Sequence, residues 1–513
     1  ASTELKLMWG AHPGMLKTLG DRSYALGVYH FAYHVFMHNP WVDRKPGMTL
    51  GGVGIFFQRD QTWWRPGKAW VEYAHRVQAV LQKGLPVVDV AVFSGEEMPR
   101  RAVLPERLTT ILPGLMGDDA VKREAERLAN AGQPMRSMPE GVSNSANTTD
   151  PADWVDPLRG YTYDSINRDA LLRLATVKDG RIVLPGGASY GVLVLPGKNP
   201  MNPSDVPLSA DVAKRVAELK KLGAKVIDAP WTEATLESLG LARDFVATEN
   251  GAAAERVAWT HRTLPEGEVY FVSNQEERAR TLELSLRAWG GPQIWNPVTA
   301  EIEGADDGKN ENGRTTLTLK LAPAESAFVV LPRGSYSMFL RPRRALSEKQ
   351  GQMLEGGWTV AFEKRPKAPE APVYAEALFD WREHGDAAVR HFSGTAQYKR
   401  ACSFNTATNR GKRVWLDLGE VANLAEVFVN GVSCGVAWTP PYCVEVTQAL
   451  KDGDNELRIA VTNTWANRLI GDAALPEAER VTWTTAPDRV KGKPLLKAGL
   501  LGPVRLMTEA AGE

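Results

Sequence analysis

Cysteine is scarce in this chain: three in 513 residues, at Cys402, Cys434 and Cys443. An odd, low count excludes a disulfide framework and leaves room for one bridge, such as Cys434 to Cys443. The spacing of these residues fits no zinc pattern. An excess of charge of either sign is missing too. Lys plus Arg and Asp plus Glu both number 61, for a formal net charge of zero. Nucleic-acid and anionic-membrane binders need a basic surplus, so neither partner is expected. No apolar run reaches the roughly 18 residues that a membrane-spanning helix needs. The opening ASTELKLMWG lacks the apolar core of a signal peptide. A mature chain from the periplasm or outside the cell would look the same. Phosphate loops are also absent, because LPGG at 184–187 and LPGK at 195–198 lack the Walker spacing.

Tryptophan, by contrast, is abundant, at 16 residues. Its flat apolar face and N–H donor suit sugar rings, although burial in a core is its commoner fate. Hydrophobic residues make up 43% and charged residues 24%, the balance of a globular protein.

The length predicts about three or four domains. In residues 1–105, helix and buried strand alternate. Positions 14–26 read as helix and GVYHFAYHVFMH (27–38) as a buried strand. Positions 68–84 form an amphipathic helix with Trp70, Tyr73, Val77, Val80 and Leu81 on one face and Gly84 as its stop. PVVDVAVF (86–93) is a second buried strand, so the pattern is parallel βαβ, the end of a larger α/β domain. Residues 106–253 predict a doubly wound α/β domain, with strands at 181–184, 191–195 and 224–227 and helices at 170–176 and 206–222. The Ser-, Asn- and Pro-rich stretch 132–151 reads as a loop. Residues 254–345 predict a β domain, with strands at 256–261, 268–274, 281–287, 314–321 and 326–331. Residues 346–513 predict a β-sandwich, from evenly spaced strands at 358–362, 396–404, 413–418, 425–429, 445–447, 455–461 and 504–507 and the hairpin signal Asn430-Gly431.

Parallel α/β domains place their sites at the carboxyl ends of strands. Two stretches qualify. In HVFMHNPWVD (34–43), His34 and His38 are four apart and share a face of either a helix or a strand. The spacing supplies no third ligand for zinc, so hydrogen bonding to a polar ligand or to backbone is the better reading. In FSGEEMP (93–99), Glu96 and Glu97 follow the buried strand. Inverting glycosidic cleavage uses two carboxyl groups about 6.5–9.5 Å apart. Neighbours on one loop seldom face opposite sides of a sugar, so these two are not the whole pair, and solvated loop acids are an equal reading. Between the stretches lies Thr62-Trp63-Trp64, with one Trp as a sugar platform and the other as core.

Residues 27–64, GVYHFAYHVFMHNPWVDRKPGMTLGGVGIFFQRDQTWW, resemble the barrel segment of glycoside hydrolase family 106, the α-L-rhamnosidases, as does VVDVAVFSGEEMP. HRTLPEGEVYFVSNQ (261–275) and IWNPVTAEI (294–302) look like the β domain of that family. FSGTAQY (392–398), WLDLGEVANLAEVFVNGVSCGVAWTPPY (415–442), NELRIAVTNTWANRLIGD (455–472) and GLLGPVRL (499–506) are similar to the sugar-binding jelly roll shared with glycoside hydrolase family 2. The resemblance implies a bacterial inverting α-L-rhamnosidase built on a (β/α)8 barrel, acting on rhamnose-containing oligosaccharides, with a calcium ion holding the sugar hydroxyls. One carboxylic acid would protonate the leaving oxygen while a second carboxylate activates water. A barrel takes about 250 residues. The chain is therefore expected to begin inside one, as its rear part, with the catalytic acid and base upstream. His34, His38, Trp63 and Glu96 are the residues expected in the sugar pocket, and no catalytic residue or metal ligand is assigned. Two alternatives stand beside this reading. One is a non-catalytic carbohydrate-binding or scaffold protein; the other is a related glycosidase of different sugar specificity.

Overall fold

The computed structural model describes residues 8–33, 36–49, 57–96, 155–195, 207–229, 231–305, 307–334, 340, 351–485, 490 and 492–508. The loop expected at 132–151 lies outside them, as do His34 and Glu97.

The front of the chain is helical where expected. One helix runs Pro13–Ala25 and a second Lys68–Leu81, the latter burying Trp70, Tyr73, Ala74, Val77 and Leu81 along one stripe. The strand expected at 27–38 does not form among the described residues. Only an isolated parallel bridge joins Phe36 to Phe57. A strand needs a partner for its backbone groups. Here the extended segment lays its rings on the second helix instead, with Tyr33 4.9 Å from Trp70 and stacked at 5.9 Å on Phe57. No barrel is present among the described residues, and the expected rear part of a (β/α)8 barrel is corrected accordingly.

The second buried run also departs from expectation, because it serves two sheets. Leu85–Pro86 pairs antiparallel with Val257–Leu264, whereas Val90–Phe93 enters a parallel sheet. Gly84 makes the turn before it, at φ +63°, and a Cβ there would lie 2.1 Å from the Thr263 carbonyl oxygen.

The parallel sheet has the spatial order Tyr163–Ile166, Val90–Phe93, Val192–Leu195, Val226–Asp228. In chain order this is 2-1-3-4, the doubly wound arrangement. Val90–Phe93 and Val192–Leu195 are buried on both faces, so their apolar runs are unbroken. Leu171, Val212, Val216 and Leu219 cover one face, and Leu158, Trp231 and Leu236 the other. A strand read as part of the front domain is thus central to this sheet.

The β domain packs a five-stranded sheet against a six-stranded one. Leu282, Leu284, Leu286, Leu317 and Leu319 fill the space between them with Tyr270, Val272 and Val329. The outer face of the six-stranded sheet presents Val269, Phe271, Phe328 and Val330 to the two front helices. The C-terminal sandwich forms as expected. Its six-stranded sheet includes Trp358–Phe362, Thr395–Phe404, Gly453–Thr462 and Leu424–Val429, and its four-stranded sheet includes Val414–Asp417 and Arg505–Thr508. Asn430 (φ 51°) and Gly431 (φ 82°) make the expected hairpin turn into Val432–Ala437. All three cysteines are free. The bridge considered between Cys434 and Cys443 does not form; the two residues stand on strands of different sheets. No helix among the described residues is long and apolar enough to cross a membrane.

Candidate functional site

The extended segment and the second helix leave a cleft of about 690 Å3 between them. Phe31, Tyr33, Phe57, Trp63 and Trp64 form its walls, and His30, Lys68, His75, Gln78 and Gln82 supply its polar groups. Trp63 is placed by the turn before the helix. Its indole N–H donates to the Ala11 carbonyl at 2.9 Å, and only 1% of its surface is exposed. Gly67 lets the helix start against this ring, since a Cβ there would lie 2.7 Å from the Trp63 carbonyl oxygen and 2.8 Å from the ring. Trp64 is half-buried, with ring centroids 5.0 Å from Phe57 and 6.1 Å from the exposed Phe36.

Two glutamines take the place of a strand ladder along the segment. The Gln78 carbonyl oxygen accepts from the Phe31 amide at 2.8 Å, and its amide donates to the Ala74 carbonyl at 3.1 Å. The Gln82 amide donates to the Tyr29 carbonyl at 2.8 Å. Burial pushes the Tyr33 phenol up to about 12, so it stays neutral at ordinary pH. Among the described residues, no Asp or Glu lines the cleft. Its described lining therefore offers aromatic faces to the C–H side of a sugar ring, with imidazole and ammonium groups at the rim.

Of the described residues expected in a sugar pocket (His38, Trp63 and Glu96), the cleft contains Trp63, as a buried wall; Trp64 is the more open platform. His38 is exposed and lies outside the lining. Glu96 also points elsewhere, just past Val90–Phe93 at the switch point of the parallel sheet. There it accepts from the Ser209 amide at 2.7 Å and from the Ser209 hydroxyl, and it pairs with Arg168 at 3.3 Å. Ser209 caps the helix Ala210–Lys221, so the carboxylate faces the positive end of that helix. The three described ones, His38, Trp63 and Glu96, are thus not gathered in this cleft, and His34 lies outside the described residues. The reading missed His75, Gln78 and Gln82. Their recurrence at helical spacing beside the apolar stripe was the available signal. Calcium takes 6–8 oxygen ligands. Among the described residues, no group of three or more His, Cys, Asp or Glu is placed to hold a metal ion.

Comparison with known proteins gives consistent matches. Residues 1–129 and 208–306 match the family model of glycoside hydrolase family 106, described as alpha-L-rhamnosidase. Residues 379–492 match the glycosyl hydrolase 2 galactose-binding domain-like family. The solved rhamnosidase from Novosphingobium sp. PP1Y is 30% identical and superposes with a TM-score of 0.76, over 98% of this chain and 47% of its own length. A Formosa agariphila protein provisionally named a beta-glucuronidase is 22% identical, over 97% of this chain and 62% of its own length. The chain thus spans about half of the one relative and about three-fifths of the other.

Proposed function

We propose, on the premise that this chain belongs to glycoside hydrolase family 106 and carries a family 2-type galactose-binding-like domain, that it serves the inverting hydrolysis of terminal α-L-rhamnosides. The observation that carries the reading is the structural likeness to the Novosphingobium rhamnosidase along 98% of the chain. The aromatic cleft supports it as a surface on which a sugar or its aglycone stacks, with Trp64 as the open ring. The substrate class is a rhamnose-containing oligosaccharide or glycoside. The acid, the base and any calcium ligands are proposed to lie outside the described residues, since no carboxylate among those residues lines the cleft. Such bulky glycosides are met outside the cytoplasm, and we place the protein in the periplasm or the medium on that ground.

The test is release of 4-nitrophenol from its α-L-rhamnoside, with calcium and with chelator, beside the matching β-D-glucuronide. Rhamnoside turnover that the chelator abolishes is the expected result. Turnover of the glucuronide alone would move the assignment to the sugar named for the Formosa relative. Absence of turnover on both would overturn a hydrolytic role for this chain and favour a binding role.

A further inference from the structure

The peptide 85–90 crosses from the β domain to the parallel sheet. Leu85 and Pro86 pair with Thr263 and Arg262, the Val87 amide donates to the His261 carbonyl at 3.0 Å, and Val90 opens the parallel strand. Asp89, with 2% of its side chain exposed, takes Arg287 at 2.6 Å and Arg181 at 3.2 Å. His261, whose carbonyl takes the Val87 amide, carries an imidazole that is 3% exposed. Its Nδ1 is 2.8 Å from an Asp244 carboxylate oxygen, and its Nε2 is 3.2 Å from a Glu268 oxygen.

Both ring nitrogens therefore face carboxylates. A carboxylate at neutral pH only accepts, so each nitrogen must carry a hydrogen, and only the imidazolium has two. The surroundings are arranged for that charge. The Tyr270 ring stacks on the imidazole at 3.9 Å, and its hydroxyl donates to Asp244 at 2.8 Å. Arg287 stands 3.6 Å from the same carboxylate and ties it to Asp89. On the other side, Glu268 also takes Arg333 at 2.7 Å and the Thr263 hydroxyl at 3.0 Å. Arg314 donates to the Arg243 and Asp244 carbonyls behind the cluster.

We infer that His261 is a proton-held pin at the joint between the parallel sheet and the β domain, and that loss of its proton loosens the 85–90 crossing. A neutral ring can donate to only one of the two carboxylates. The other then faces a lone pair at hydrogen-bond distance, beside a ring 3% exposed and an Asp244 side chain 1% exposed, while Glu268 keeps 20% of its side chain exposed. Burial by itself would lower the imidazole pKa. The Asp244 and Glu268 carboxylates outweigh it and raise the pKa. The sign follows: a raised histidine stabilises fully below its ordinary value of 6.5, and the contribution is lost as pH rises through the folded value.

The experiment is hydrogen exchange of the intact chain at several labelling pH values between about 6 and 9.5, corrected for intrinsic base catalysis. Amides at 87–93 and 261–263 are followed. In the wild type these amides should lose about tenfold protection across the range, the factor that roughly 1.4 kcal/mol carries. His261→Gln should show low protection at every pH. Glu268→Gln removes one of the two acids and should bring the loss to lower pH. Protection that stays constant in the wild type overturns the inference, and so does an unshifted midpoint in Glu268→Gln. The second variant keeps the test decisive if His261→Gln does not fold.

Discussion

Lys17 and Asp21 are one helical turn apart and wholly buried, 2.7 Å from each other. The lysine also donates to the Ala324 carbonyl and to Ser326, and the aspartate accepts from Tyr73 and Ser273. The cluster stitches both front helices to the six-stranded sheet of the β domain. Removal of one charge leaves the other buried without a counter-charge. Asp21→Ala is expected to cost about 3–5 kcal/mol in urea unfolding, and Asp21→Leu paired with Lys17→Met should cost less than either single change. The two neighbouring tryptophans separate in the same way. Trp63→Ala should destabilise by about 3–5 kcal/mol, as a large buried ring does. Trp64→Ala should leave the unfolding midpoint nearly unchanged and remove the fluorescence response to bound glycoside. Nothing in a Trp-Trp dipeptide says which ring is wall and which is platform; the Ala11 carbonyl and Gly67 decide it.

Among elements, the hairpin at Asn430-Gly431 was the most legible. Both residues adopt the positive φ of a two-residue turn, and the Asn430 side chain is further fixed by Asn455 and the Ala449 carbonyl. Gly431→Val is expected to cost about 1–2 kcal/mol, the usual penalty for a branched residue in the left-handed region, measured as a shift of the denaturation midpoint with unchanged slope. Strands Arg280–Leu286 and Arg314–Leu321 were equally clear, because every second residue is buried. The runs at 27–38 and 86–93 were not. A continuous apolar run reports burial on both faces and leaves the partner open. One such run became a ring-lined wall of the cleft, and the other was divided between two sheets.

At the scale of the whole molecule, a line of charges joins the modules: Arg181, Asp89, Arg287, Asp244, His261, Glu268 and Arg333. Its acid limb is predictable. Burial would raise the Glu268 carboxyl, but hydrogen bonds from His261, Arg333 and Thr263 hold it down at about 2, below its ordinary 4.5. A depressed carboxyl stabilises above the ordinary value and ceases to do so as pH falls toward the folded one. The melting temperature should therefore drop between about pH 4.5 and 2, and the gap between wild type and Glu268→Gln should close over that window. A gap that persists at the acid end would contradict the assignment.

Periodicity and turn residues were enough to determine the β-sandwich, the β domain and the doubly wound pattern, and long ordered motifs carried the resemblance to glycoside hydrolase family 106. These depend on local patterns that survive without knowledge of partners. Tertiary structure alone decided which strand joined which sheet, that Cys434 and Cys443 stand on separate sheets, that Glu96 caps a helix instead of facing the cleft, and that His261 sits between two acids. Each of these depends on which groups the folded chain brings together, and neither composition nor spacing records such a meeting.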